Sequence, residues 1–106
     1  MLVPFPFTDL TTIKQRPALV ISSGKFNSAQ EDAIIVAVTS NVMGRRGKYE
    51  YRITGTEQKT AELPKEGIVR CGKIITIDQR LIRRKLGILP NIAVDRIVEI
   101  INTVIR

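Results

Sequence analysis

The chain has 106 residues, with 17 Lys and Arg against 10 Asp and Glu, a formal charge of +7. A single domain, 1–106, is the expectation at this length, and 43% hydrophobic with 25% charged residues excludes a disordered chain. Histidine is absent and Cys71 is the sole cysteine, which removes Ser-His-Asp and Cys-His nucleophiles, an intrachain disulfide and all-cysteine zinc sites; no metal and no cofactor are expected.

Residues 2–7 are apolar and β-prone but contain Pro4 and Pro6, so this strand belongs at a sheet edge or a bulge. Residues 8–15 read as a loop. Residues 18–21 read as a buried strand, with Pro17 forcing Arg16 towards an extended backbone. Residues 22–32 read as a loop or short helical turn, and 33–40 as a central strand apolar on both faces. The longest apolar run, 33–38, is far too short for a membrane span, and no basic flank precedes an apolar core at the N-terminus. No membrane partner and a cytoplasmic location are therefore expected.

Residues 41–47 form a loop bearing glycine and arginine. From 48 to 54 the pattern alternates, with Tyr49, Tyr51 and Ile53 on one face and Glu50 and Arg52 on the other. Residues 55–65 are mostly polar, with a short extended piece at 61–63. Residues 67–71 read as a strand, 74–84 as ambiguous with a helical turn at 78–84, and 86–89 as a short strand or connector. The last segment has a helical period, with Val94, Ile97, Val98, Ile101, Val104 and Ile105 in one core-facing stripe and Asn91 as N-cap. About five short, mostly antiparallel strands closed by a C-terminal helix follow, an α+β chain that is mainly β.

Two basic clusters, Arg45, Arg46, Lys48 and Arg52, then Arg80, Arg83, Arg84 and Lys85, suit a polyanionic partner or simply a solvated face. Arg16 opens one strand, Thr39 and Ser40 close another, and Arg70 lies near the end of a third. Two cations and two hydroxyls at strand ends suit one phosphodiester. Taken singly, each is equally a surface arginine or a turn starter. Cys71 shares a face with Val69 and reads as a buried apolar residue rather than a nucleophile.

The ordered strings Val3-Pro4-Phe5-Pro6-Phe7, Arg16-Pro17-Ala18-Leu19-Val20-Ile21-Ser22, Val38-Thr39-Ser40 and Val69-Arg70-Cys71, followed by Thr76-Ile77-Asp78, resemble those of the MazF/PemK toxins of type II toxin–antitoxin systems. The resemblance covers nearly the whole chain. It implies a small SH3-like barrel of about five to seven twisted antiparallel strands with a C-terminal helix, a homodimer, and an acidic antitoxin as partner. It also implies metal-independent, sequence-specific cleavage of single-stranded RNA, in which the substrate's own 2′-hydroxyl attacks phosphorus to leave 2′,3′-cyclic phosphate and 5′-hydroxyl ends.

Carried over by position, Arg16, Thr39 and Arg70 are the expected catalytic residues. Arg16 stands beside the scissile phosphate, the Thr39 hydroxyl bonds it, and Arg70 matches an arginine proposed as general acid in PemK-like members. Lys14, Gln15, Ser40, Asn41, Arg45 and Arg46 are the expected RNA contacts. Phe5 and Phe7 read as base-stacking, core or dimer residues.

The chain departs from the pattern at Gly72, where PemK-like members carry an aspartate proposed as general base; glycine accepts no proton, though it also suits a turn with positive φ. Glu66, on the same face by alternation, is roughly 13 Å from Arg70 along a strand. Family chains usually carry several residues before the first strand, whereas Met1 begins inside it, so the expected start is short. A non-catalytic nucleic-acid-binding barrel, an inactive member of the toxin fold, and a CcdB-type toxin that binds a topoisomerase are the alternatives.

Overall fold

Five β-strands hydrogen-bond in the order β1-β2-β3-β5-β4, every neighbouring pair antiparallel. This computed structural model describes residues 2–8, 13–40, 47–82 and 84–105, without the side chains of 4–8 and 13–15. The elements are β1 (Leu2–Thr8), β2 (Ile13–Val20), α1 (Gly24–Ala29), β3 (Asp32–Thr39), β4 (Glu50–Ile53), α2 (Gly55–Thr60), β5 (Gly67–Asp78), a 3-10 turn (Gln79–Leu81) and α3 (Asn91–Ile105). The proline-bearing β1 is an edge strand, where a missing N–H costs least. No described helix is long and apolar enough to cross a membrane.

β5 holds the sheet together. Its first half pairs with β4 and with the end of β3; its second half pairs with the start of β3. Between the two halves the register breaks. Val36 faces Ile74 and the next residue, Ala37, faces Arg70, so Cys71, Gly72 and Lys73 have no matching residues on β3. Three unmatched residues, an odd number, invert the alternation of side chains beyond them.

Both faces of the sheet carry apolar clusters. On one, Leu19, Val36, Val38, Ile53, Val69 and Cys71 pack beneath α3, which contributes Ala93, Ile97, Ile100 and Ile101. On the other, Val3, Ala18, Val20, Ala33, Ile35 and Ile77 form a smaller cluster at the end of the sheet away from Thr39.

Several elements differ from the expectations. The polar stretch 55–65 contains the helix α2, and the expected extended piece at 61–63 is the turn that leaves it, with Ala61 and Leu63 buried. The strand expected to stop at 71 runs to Asp78 because the bulge lets it re-pair. The helical turn expected at 78–84 is the short 3-10 turn, capped by the Asp78 carboxylate, which accepts from the Arg80 N–H at 2.9 Å. Residues 86–89 are a connector with a single bridge, Leu2 to Gly87. There an added Cβ would strike the backbone carbonyl of Ala61, which explains a glycine. Asn91 is the first residue of α3 rather than its cap, and Pro90 accepts from the Ala93 and Val94 N–H groups. The buried stripe of α3 is also rotated: Ile97 and Ile101 face the core, but Val98, Val104 and Ile105 are exposed, as is Ile92.

Two ionisable groups lie against the larger cluster. Burial pushes the Cys71 thiol up from 9.0 to about 11, and the negative charge of Glu50 adds to that. Tyr51 is pushed from 10.0 to about 12, first by burial and then by donating to both Glu57 oxygens at 2.9 and 2.8 Å. The unfolded chain thus releases both protons at lower pH than the folded one. Their contribution to stability is complete below about pH 9 and is lost as pH rises from there to about 12. Thermal melts across this range should show a falling midpoint, with Cys71→Ala removing the early part of the fall and Tyr51→Phe the later part. An identical slope in both variants would contradict the assignment.

Candidate functional site

One row of the sheet organises the polar residues. Ala18 is opposite Ala37, Ala37 opposite Arg70, and Arg70 opposite Glu50, across β2, β3, β5 and β4. Opposed residues share a face, as do residues two apart on one strand. Arg16 and Thr39 each stand two residues beyond the Ala18–Ala37 pair, at the same end of the sheet. Thr39 is opposite Ile68, and Ile68 opposite Arg52. Arg16, Thr39, Arg70, Glu50 and Arg52 therefore occupy one face, the one turned away from α3. From the strand spacings, Arg16 and Arg70 are about 12 Å apart at Cα, a separation that two long side chains can close on a shared phosphate.

Exposure grades these residues. Arg16 and Arg52 are exposed, Arg70 and Glu50 half-buried, and Thr39 is only 7% exposed. Thr39 and Ser40 border a cleft of about 190 Å³ with Pro17, Val38 and the segment from Leu63 to Gly67. The side chains of Lys14 and Gln15, and the whole of Asn41, Arg45 and Arg46, lie outside the described residues, as do Arg83 and the side chains of Phe5 and Phe7.

A second, wider cavity of about 490 Å³ is lined by Gly47, Tyr49, Glu50, Arg70, Gly72 and Lys73. Sequence reasoning did not single out Glu50. Its carboxylate accepts from the Gly47 N–H at 2.9 Å, and it stands directly across from Arg70. Alternation along β4 correctly put Glu50 on the face away from Tyr51 and Ile53; the register that sets it opposite Arg70 has no local signal. Tyr49, expected on the core face, is exposed at the cavity, with Lys48 Nζ 5.1 Å from its ring centroid.

Gly72 lies inside the irregular stretch of β5, not in a turn; among the described residues, positive φ occurs at Gly55 and Glu62. A Cβ added at Gly72 would meet only Val104 Cγ1, at 3.9 Å. The backbone of Gly72 lines the cavity, but a side chain there would lean towards α3. Among the described residues, no three His, Cys, Asp or Glu side chains gather as a metal site.

Residues 1–105 match the family described as PemK-like, MazF-like toxin of type II toxin-antitoxin system. No curated protein matches the sequence. The Mycobacterium tuberculosis toxin MazF-mt6 is similar in structure with a TM-score of 0.76 at 18% identity, over 99% of this chain and 96% of that one. A chain of the Deinococcus radiodurans MazE–MazF structure (form II) gives 0.76 at 21% identity, over 98% and 90%. Form III of that complex gives 0.70 at 25% identity, over 98% and 91%.

Position 72 has no steric need for glycine, so Gly72→Asp should shift the melting midpoint by less than about 4 °C, the movement that roughly 1 kcal/mol produces in a domain of this size. A larger fall would show that the bulge needs glycine for its backbone.

Proposed function

The chain belongs to the PemK-like, MazF-like toxin family of type II toxin–antitoxin systems, and from that premise we propose that it cleaves single-stranded RNA without a metal ion. The observation that carries this reading is the gathering of Arg16, Thr39 and Arg70 on one sheet face, opposite the face packed beneath α3. The nucleophile is the RNA's 2′-hydroxyl, so the protein needs alignment, charge stabilisation and proton transfer rather than a nucleophile of its own. That division of labour suits a chain without histidine.

Arg16 presents a planar fork to two non-bridging oxygens of the phosphate as negative charge builds on them. The Thr39 hydroxyl donates to the same phosphate from a nearly buried position at the end of β3. Arg70, half-buried on the strand next to β3 and two strands from Arg16, supplies a second positive charge. The 2′-oxygen bonds to phosphorus, the P–O5′ bond breaks, and the 2′-hydroxyl proton is balanced by one gained at the 5′-oxygen.

Gly72 favours one other reading, a member of the fold that binds RNA without cutting it. The two separate in an assay containing EDTA. Cleavage of single-stranded RNA with terminal cyclic phosphates, and none of the all-DNA analogue, is expected from the nuclease; 5′-phosphate ends would rule out the mechanism. Arg16→Ala should lower the rate at least about a hundredfold while the fold survives, since removing one oxyanion donor typically costs that much. Thr39→Ala should cost less, and full activity in Arg16→Ala would show the site to be misplaced.

The partner proposed is an acidic antitoxin whose disordered segment lies in a groove between two copies of this chain. The +7 charge supports it, as do similar structures, among them an endoribonuclease in complex with its cognate antitoxin from a mycobacterial species. Carboxylates replacing counterions make the affinity fall with salt. Light scattering at micromolar concentration should give a dimer, and titration against an acidic antitoxin peptide at rising salt should weaken binding. A strict monomer would remove the shared groove.

A further inference from the structure

We propose that Glu50 is the proton acceptor for the attacking 2′-hydroxyl, doing from β4 what position 72 of β5 has no carboxylate to do. This deepens the RNA-cleaving reading above and rests on it. Glu50 is directly opposite Arg70, so their Cβ atoms are about 5 Å apart on one face. It lines the same cavity as the Gly72 backbone, and a Cβ added at 72 would meet Val104 of α3 rather than the cavity. The Gly47 N–H, 2.9 Å from one carboxylate oxygen, orients the group. Glu66 is exposed four residues before Arg70, roughly 13 Å along the strand and too far to serve the same phosphate.

The step balances within the substrate and solvent. Glu50 takes the 2′-hydroxyl proton as the 2′-oxygen bonds phosphorus. The P–O5′ bond breaks, the 5′-oxygen gains a proton from water, and Glu50 returns its own to solvent. Arg70 and Lys73 from β5 and Tyr49 ahead of β4 line the cavity with Glu50, Lys48 stands over the Tyr49 ring, and Arg52 shares the face of Glu50 two residues further on. Cys71 lies near enough for Glu50 to act on its thiol. None of these side-chain types ordinarily releases a proton between about pH 4 and 7, so a fall in kcat on the acid side of that range reports the carboxylate.

The test uses the full chain and a synthetic oligoribonucleotide spanning a cleavage site mapped on a long single-stranded RNA, with EDTA present. Glu50→Gln keeps the oxygen that accepts from Gly47 and removes the base. The expected result is a kcat lower by about 10²–10⁴-fold, the usual worth of a positioned base, with KM within about twofold and the acid-side fall abolished. Glu50→Asp should keep that fall at an intermediate rate, which separates chemistry from fold if Glu50→Gln melts early. Glu31→Gln, at an exposed position just before β3 at the far end of the sheet, should cleave as the wild type does. A Glu50→Gln protein with wild-type kcat and an unchanged acid-side fall overturns the proposal, as does a Glu50→Asp protein lacking that fall. Wild-type cleavage that is lost in Arg16→Ala but kept in Glu50→Gln overturns this proposal alone. No cleavage by the wild type overturns both readings.

Discussion

The three unmatched residues of β5 decide what each end of the sheet is for. Val36 and Ala37 are neighbours on β3, yet their partners Ile74 and Arg70 are four apart. With unbroken alternation, Ile75 and Ile77 would point to the face opposite Arg70. The odd insertion turns them onto the same face as Arg70, beyond the bulge, where they meet Ala33 and Ile35. One strand therefore fills a small apolar cluster at one end of the face and presents a cation at the other. A straight strand would have left those isoleucines competing with Cys71 for the space beneath α3.

The same irregularity marks the boundary of what the sequence made legible. The strands were readable where their apolar residues alternate or run unbroken, and the edge position of β1 followed from two prolines, but the start of β2 at Ile13 falls in the polar stretch 8–15 that reads as a loop. The length of β5 was not readable. Gly72 and Lys73 interrupt the apolar run, and only the long-range return to β3 makes 74–78 a strand. α2 was missed because Gly55, Thr56 and Thr60 are poor helix formers and no residue of the helix is fully buried. The stripe of α3 was misplaced because the apolar arc, from Ile100 and Ala93 round to Val98, is wider than the strip that is buried, so periodicity admits more than one rotation. Of the candidate site, Arg16, Thr39 and Arg70 were singled out as polar residues ending apolar strands. Their common face needed the register across β2, β3 and β5. Glu50 needed one strand more.

Charge on the exposed face suits the proposed reaction, in which negative charge grows on a phosphate. Arg16, Arg52 and Arg70 share the face, and Lys73 joins Arg70 at the cavity. Glu50 is the carboxylate set among them. A surface intended only to hold a phosphate gains nothing from a carboxylate opposite its half-buried arginine, because the acid partly cancels the field the arginine provides. A surface that must also remove a proton next to that phosphate gains an acceptor held beside the reacting oxygen.

This makes the exchange between positions 72 and 50 a matter of sheet geometry rather than of sequence distance. A residue two along from Arg70 on its own strand is nearly 7 Å away at Cα in a regular strand, whereas the residue directly opposite on the next strand is about 5 Å away. Inside the bulge the regular rule fails in any case: a side chain at 72 leans towards Val104 and away from the cations. An acid on β4, backed by the Gly47 N–H, keeps its bearing on Arg70 without depending on the conformation of 71–73. The glycine at 72 is then no defect in the site. Glu50 stands instead on the strand whose pairing with β5 is regular throughout its length.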